Sequence, residues 1–172
     1  MDITEEILHQ HGEQRRMFAL LDELPRGDTE GLAALWRRLE IFLETHAEAE
    51  ERYFYPLLVN VGSGAADADD VEEEVEDAVK DHNDIRDAIR KVAEHETGSD
   101  DWWGAVIECR VANSDHMAEE ERQDLADFRK HTDLSTRHDI AMKFVRFQAL
   151  HAAEGVEPED KNPERYVEKS KD

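Results

Sequence analysis

The sequence predicts an all-α fold: an up-down-up-down four-helix bundle with an additional short C-terminal helix and a tail. Three observations predict it. Apolar residues recur at helical spacing through four long segments, and no stretch alternates as a half-buried strand does. Only four Pro and eight Gly punctuate the chain, so long uninterrupted helices are permitted almost everywhere. Finally, two motif pairs repeat at nearly one offset. His46-Ala47-Glu48-Ala49-Glu50-Glu51-Arg52 returns 70 residues later as His116-Met117-Ala118-Glu119-Glu120-Glu121-Arg122, and Gln10-His11-Gly12-Glu13 returns 71 residues later as Asp81-His82-Asn83-Asp84. A constant offset reads as one helical hairpin used twice.

Composition narrows the function classes. At 172 residues the chain buries one core without disulfides, and a single cysteine, Cys109, gives no intrachain bridge and indicates no oxidising compartment. Its 44 acidic residues against 21 basic ones leave a formal charge of −23, which repels nucleic-acid phosphates and anionic membranes. The charge reads as a well-solvated exterior, with a salt-rich cytoplasm as the weaker alternative. The acidic start Met1-Asp2-Ile3-Thr4-Glu5-Glu6 is unlike a secretory signal, and no run of about 18 apolar residues suggests a membrane span. A cytoplasmic location is therefore expected.

The first helix is expected from Asp2 to Leu24, ending before Pro25-Arg26-Gly27-Asp28. At ~100° per residue, Ile3, Ile7, Phe18 and Leu21 fall on the side of His11, while His9 faces water. The second helix starts at Asp28 or Thr29, both N-cap residues, and runs to about Asn60. Leu32, Leu35, Leu39, Phe42, His46, Glu50, Tyr53 and Leu57 make its inner stripe; Glu48, Glu51 and Arg52 turn away from it. The glycines Gly62 and Gly64 break the pattern, and an acidic run from Asp67 to Asp77 opens the third helix at its positive dipole end. That helix reaches Glu96 with Val71, Val75, Ala78, His82, Ile85, Ile89 and Ala93 inside. The fourth runs from Asp101 to about Lys130, with Trp102, Ala105, Cys109, Ala112, His116 and Glu120 pointing one way. Residues 1–130 are the bundle, 131–153 carry the short amphipathic helix marked by Ile140, Phe144, Phe147 and Leu150, and 154–172 read as a flexible tail.

Residues i and i+4 share a helix face, so each His-x-x-x-Glu aims an imidazole and a carboxylate at one point. A charged Glu50 within an apolar stripe is costly to bury unless a cation stands beside it. The pseudo-twofold repeat brings His11, His46, Glu50, His82, His116 and Glu120 to one level. Four imidazoles and two carboxylates suit first-row metals such as iron better than Ca²⁺ or Mg²⁺, and one carboxylate from each half could bridge two ions. Tyr53, Tyr55, Trp102, Trp103 and Cys109 are read as packing residues; His9, His95, His131, His138 and His151 are assigned no role.

The segment His46-x-x-x-Glu50-Glu51…Phe54-Tyr55-Pro56 closely resembles the signature of hemerythrin-like (HHE cation-binding) domains, with His11…Met17-Phe18, His82 and His116-x-x-x-Glu120 in order. The resemblance covers residues 1–130. It implies a four-helix bundle around a non-haem di-iron centre, two Fe ions bridged by carboxylates and an oxo or hydroxo group, with those six residues as ligands. Oxygen carriers of the family have a further His four residues after the third-helix one; here that position is Arg86, which cannot ligate a metal. Its expected role is structural, the guanidinium reaching a carboxylate or the bundle mouth, with orientation of a bound anion or peroxide as the alternative. Those carriers also use a carboxylate five residues after the fourth-helix His, here Glu121, but the angle favours Glu120. The expected function is iron binding with O2, H2O2 or NO as small-molecule partner, for sensing, detoxification or storage. The alternatives are an iron-responsive regulatory or iron-storage module without turnover, and a metal-free structural bundle. No nucleic-acid or membrane partner is expected.

Overall fold

The computed structural model describes residues 1–65 and 70–171. It is helical, with no strand among the described residues. Helix α1 spans Ile3–Glu23 and α2 spans Thr29–Ala49, which runs on through a π-helical turn, Glu50–Phe54, into α3, Tyr55–Val61. Then come α4 (Val71–Ala93), α5 (Asp100–Arg122), α6 (Asp124–His131), α7 (Leu134–His151) and α8 (Pro163–Ser170). Each of the longer helices starts on a side-chain cap that satisfies an otherwise orphaned N–H. Asp2 accepts from Thr4, Asp28 from Gly31, Asp70 from Glu72 and Glu73, Ser99 from Trp102, and Asp133 from Thr136. Between α4 and α5, Gly98 sits at φ +84°, in the left-handed region that favours glycine. Of the acidic run from Asp67 to Asp77, residues 66–69 lie outside the described residues; the rest opens α4 as expected.

Two apolar clusters form the core, and a layer of buried polar residues separates them. The first contains Ile3, Ile7, Phe54, Leu58, Val75 and Phe128. The second contains Phe18, Leu32, Trp36, Ile89, Trp102 and Val106. Along α1 the chain passes from the first cluster through His11 to the second. From there α2 returns through His46 and Glu50, α4 crosses again through His82, and α5 comes back through His116 and Glu120. Each helix thus contributes its polar residues at the level where the clusters part.

The structure differs from the sequence expectation in three places. The second helix is not a uniform α-helix to Asn60. Pro56 has no N–H and its ring crowds the carbonyl four residues back, so the ladder widens and Tyr55 N–H donates to Glu50 O instead. The expected fourth helix is interrupted at Gln123 into α5 and α6. From Glu154, where the composition reads as a flexible tail, the chain instead lies against the bundle and forms α8, whose Val167 joins the first cluster. The contacts that dock it are mostly polar. Asn83 exchanges hydrogen bonds with the Lys161 backbone, Arg90 forks onto Asp160, and Asn60 donates to Ser170 O. A hydropathy reading does not register such contacts.

Candidate metal centre

The six residues expected at one level are brought together there, and none is more than 3% exposed. Candidate ligand atoms of His11, His46, Glu50 and Glu120 all lie within 4.8 Å of one another; those of Glu50, His82 and His116 form a second such group. Glu50 is common to both. It is the first residue of the π-helical turn, so the widened backbone begins at the carboxylate that joins the two groups.

The imidazoles are oriented from outside. Nδ1 of His11 meets Glu121 Oε1 at 2.9 Å, Nδ1 of His46 meets Gln10 Oε1 at 2.9 Å, and Nδ1 of His82 meets Glu51 Oε1 at 2.8 Å. The Nδ1 of His116 faces Asp81 Oδ2 at 3.8 Å. A tether on Nδ1 favours the tautomer whose Nε2 lone pair is free, which is how ligating histidines are held. These tethers obey the repeat. The residue before His11 holds His46, and the residue before His82 faces His116; the residues after Glu50 and Glu120 hold His82 and His11.

Two of the inner atoms pair with each other, His82 Nε2 with His116 Nε2 at 3.1 Å, but five others have no such partner. Nε2 of His11 approaches Glu120 Oε2 at 3.1 Å, and Nε2 of His46 approaches Glu50 Oε1 at 2.8 Å. Yet His11 Nε2, His46 Nε2, both Glu50 oxygens and Glu120 Oε2 are buried without a hydrogen bond of acceptable geometry. Atoms close together but misaligned for hydrogen bonding are what donors aimed at a shared third point produce. Buried polar atoms are ordinarily paired, so five orphans at one place call for a partner. Cations at the two groups that share Glu50 would supply it.

Electrostatics agree. Burial alone would push the His11 and His82 imidazoles down, but the carboxylates beside them, Glu120 and Glu121 for the first, Glu50 and Glu51 for the second, raise each to about 9. Burial opposes the ionised Glu50, and the His46 and His82 rings outweigh it, holding its carboxyl well below the usual range. In the metal-free chain the imidazoles and carboxylates thus favour one another's charged forms, and a metal held there would displace protons from the imidazoles.

Two expectations need correction. Glu51 and Glu48 do not turn away from the interior: both are buried. Glu51 accepts from His82, takes both its oxygens to Arg86 Nη2 at 2.9 Å, and receives Lys161 Nζ. Glu48 pairs with Lys161 at 2.6 Å and with Arg52. A helical wheel of constant pitch places Glu51 outside; the π-helical turn and the covering α4 and C-terminal segment bring it in. Tyr55 does more than pack, since its buried hydroxyl donates to Glu120 Oε1 at 3.1 Å, whereas Tyr53 packs on Phe147. Arg86 is buried and paired with carboxylates, as expected, with Glu44 3.5 Å from its Nε. Cys109 is core, its thiol pushed up to about 12 by burial. Sequence reasoning gives Gln10, Glu51 and Glu121 no ligand-orienting role; the doubled Glu-Glu at repeat spacing is the available signal for the two glutamates.

Comparison with known proteins adds one match. The family model described as Hemerythrin HHE cation binding domain matches residues 2–127. No curated protein and no solved structure gave a match. No helix among the described residues is long and apolar enough to cross a membrane. With a buried His and Glu cluster able to hold a metal at the level where the helices converge, and a family match over most of its length, the chain belongs to the hemerythrin HHE cation-binding domain family.

Proposed function

We propose that the chain is a non-haem di-iron protein whose ions are held by His11, His46, Glu50, His82, His116 and Glu120, and that it takes O2, peroxide or NO. The observation that carries this reading is the set of five buried ligand atoms without hydrogen-bond partners, facing inward while the outer Nδ1 atoms of their histidines are tethered. The alternation of α1, α2, α4 and α5 between the two apolar clusters supports an up-down-up-down bundle around them. A mixed imidazole and carboxylate donor set suits iron, and two ferrous ions held there would make a pair of electrons available to a small oxidant. The chain's own residues do the rest: Glu51, Glu121 and Gln10 fix the rings, Tyr55 offers a proton at Glu120, and the two apolar clusters exclude bulk water. Size favours a diatomic or peroxide, since the cleft reaching His116 and Glu120 holds about 10 Å³, roughly the room one water needs.

A second reading, an iron-responsive or iron-storage module without turnover, draws on Glu51. Through Lys161 and Tyr166 this residue links the centre to the C-terminal segment, so metal occupancy and the docking of that segment share one carboxylate. Metal analysis of the purified chain tests the common ground, with about two irons per chain expected and Glu50→Ala lowering that content. Unchanged loading in Glu50→Ala refutes the ligand set. Mixing the reduced protein with O2 or H2O2 separates the readings: rapid oxidation with near-ultraviolet oxo-to-iron absorption supports the first, and metal-dependent melting without oxidation supports the second.

A further inference from the structure

A narrow cleft leads from the surface to the centre between α4 and α5 and past the start of α6. At its mouth stand the exposed Asp77 and Glu119, and Asp81 follows. Its floor is the buried pair Glu74 and Asp124, beside His116 and Glu120. Among the described residues no lysine or arginine lines it. The nearby Lys80 is taken up by Asp84 at 3.2 Å.

Acidic residues on a surface are ordinary in a chain of this charge; a buried unpaired carboxylate is not. Glu74 is 2% exposed. Its Oε1 accepts from Ala65 N at 2.9 Å, and its Oε2 has no partner. Burial and the neighbouring Asp127 push this carboxyl up to about 7. The cleft therefore holds two buried carboxyls, one of them with an unpartnered oxygen, beside the proposed ligands. The exposed acids at the mouth and the buried ones on the floor share this cleft with His116 and Glu120, which are among the proposed ligands.

We propose that this cleft is the uptake route for the centre's divalent cation, drawn in by Asp77 and Glu119 and passed over Glu74 and Asp124 to His116 and Glu120. The proposal rests on the metal-binding reading above. A hydrated ferrous ion is too large for a throat of about 10 Å³, so carboxylate oxygens replace its waters one at a time, as hard oxygen donors do. The acidic mouth raises the local cation concentration, an effect that salt screens. Glu74 then acts as a relay that holds the ion transiently without belonging to the final coordination set.

The test is the rate of metal uptake by the metal-stripped full-length chain, followed anaerobically with Co²⁺ by its visible absorption and with Fe²⁺ by final content. Asp77→Asn combined with Glu119→Gln, both surface changes that leave the interior intact, is expected to load roughly tenfold more slowly at low salt and to match wild type at high salt. Glu74→Gln is expected to load more slowly at every salt concentration. Both variants are expected to reach wild-type metal content. Wild-type rates in both variants overturn the route, and a lowered final content overturns it too, by placing these residues among the ligands. Wild-type protein that takes up no metal at all fails the metal-binding reading itself, an outcome distinct from either.

Discussion

Replacing Glu51 by Gln removes one negative charge where three cations converge. The carboxylate is buried and accepts from His82 Nδ1 at 2.8 Å and from Arg86 Nη2 at 2.9 Å, with Lys161 Nζ on its second oxygen. Breaking a buried ion pair by neutralising one partner typically costs 3–5 kcal/mol, because the other charge stays buried. Two features set the value at the low end: Arg86 keeps Glu44 at 3.5 Å, and Lys161, about a fifth exposed, keeps Glu48. Proton affinity gives a second route to the magnitude. Burial opposes the charged Glu51, but His82, Arg86 and Lys161 outweigh it and hold the carboxyl at about 2 against an ordinary 4.5. At ~1.4 kcal/mol per decade of proton affinity this is roughly 3 kcal/mol. The two routes agree on about 3 kcal/mol.

The sign follows from the direction of the shift. A carboxyl whose folded value is depressed contributes stability that is present above 4.5 and is lost as pH falls from there through about 2. The metal-free Glu51→Gln protein is therefore expected to unfold at lower urea concentration at neutral pH, by the equivalent of about 3 kcal/mol, and to lose less on acidification than wild type. Gln offers one acceptor oxygen where His82 and Arg86 each need one, so iron affinity is expected to fall about tenfold through the loosened His82 ring. Denaturation at several pH values and a metal titration check both parts. Stability within about 0.5 kcal/mol of wild type, together with unchanged affinity, refutes the assignment of Glu51 as the anchor of His82 and Arg86.

Three further outcomes are expected. Lys161→Ala leaves Glu48 and Glu51 without their shared cation, and faster amide exchange or proteolysis in residues 154–171 reports release of that segment, at a cost of about 1–2 kcal/mol. Glu74 titrates in the opposite sense to Glu51: its folded value, about 7, is raised, so its contribution is full below 4.5 and is lost as pH rises through 7. Urea midpoints of the metal-free chain should therefore decline between about pH 5 and pH 8, and Glu74→Gln should flatten that decline. Tyr55→Phe leaves Glu120 Oε1 without its phenolic donor, which is expected to cost about 1–3 kcal/mol in thermal or urea unfolding.

How much of this was legible in the sequence varies with the kind of force. Apolar stripes of period 3.6 report burial directly, so the long helices and the inward faces of His11, His82, His116 and Glu120 could be read from spacing. Glu51 could not, because the reading assumed one pitch through a segment in which Pro56 forces a wider turn; Pro56 itself was the visible warning. Docking of the C-terminal segment rests on Asn83, Arg90 and Lys161, polar residues that look alike whether solvated or paired. The tethers on Nδ1 fell between these cases. Glu51 and Glu121 recur at the repeat offset, yet only the fold shows that each reaches across to a histidine of another helix.

The repeat explains why the centre has twofold character, and its departures explain why the two halves are unequal. At the offset of 70 residues Tyr55 answers to Leu125, so only one half carries a phenol at this level. That phenol takes Glu120 Oε1, leaving this carboxylate one inward oxygen, whereas Glu50 keeps both oxygens unpaired. Glu50 accordingly belongs to both candidate ligand groups and Glu120 to one. The sequence pattern leads one to expect two equivalent bridging carboxylates; the hydroxyl of Tyr55 makes one of them different. Two ions held by such a set would meet different surroundings, one with two histidines and two carboxylates and the other with two histidines and a single shared carboxylate. The less crowded side is the one with His116, and the acid-lined cleft reaches both His116 and Glu120 of the other side. A cation arriving by that cleft would therefore meet one residue of each position, His116 of the poorer set and Glu120 of the richer one.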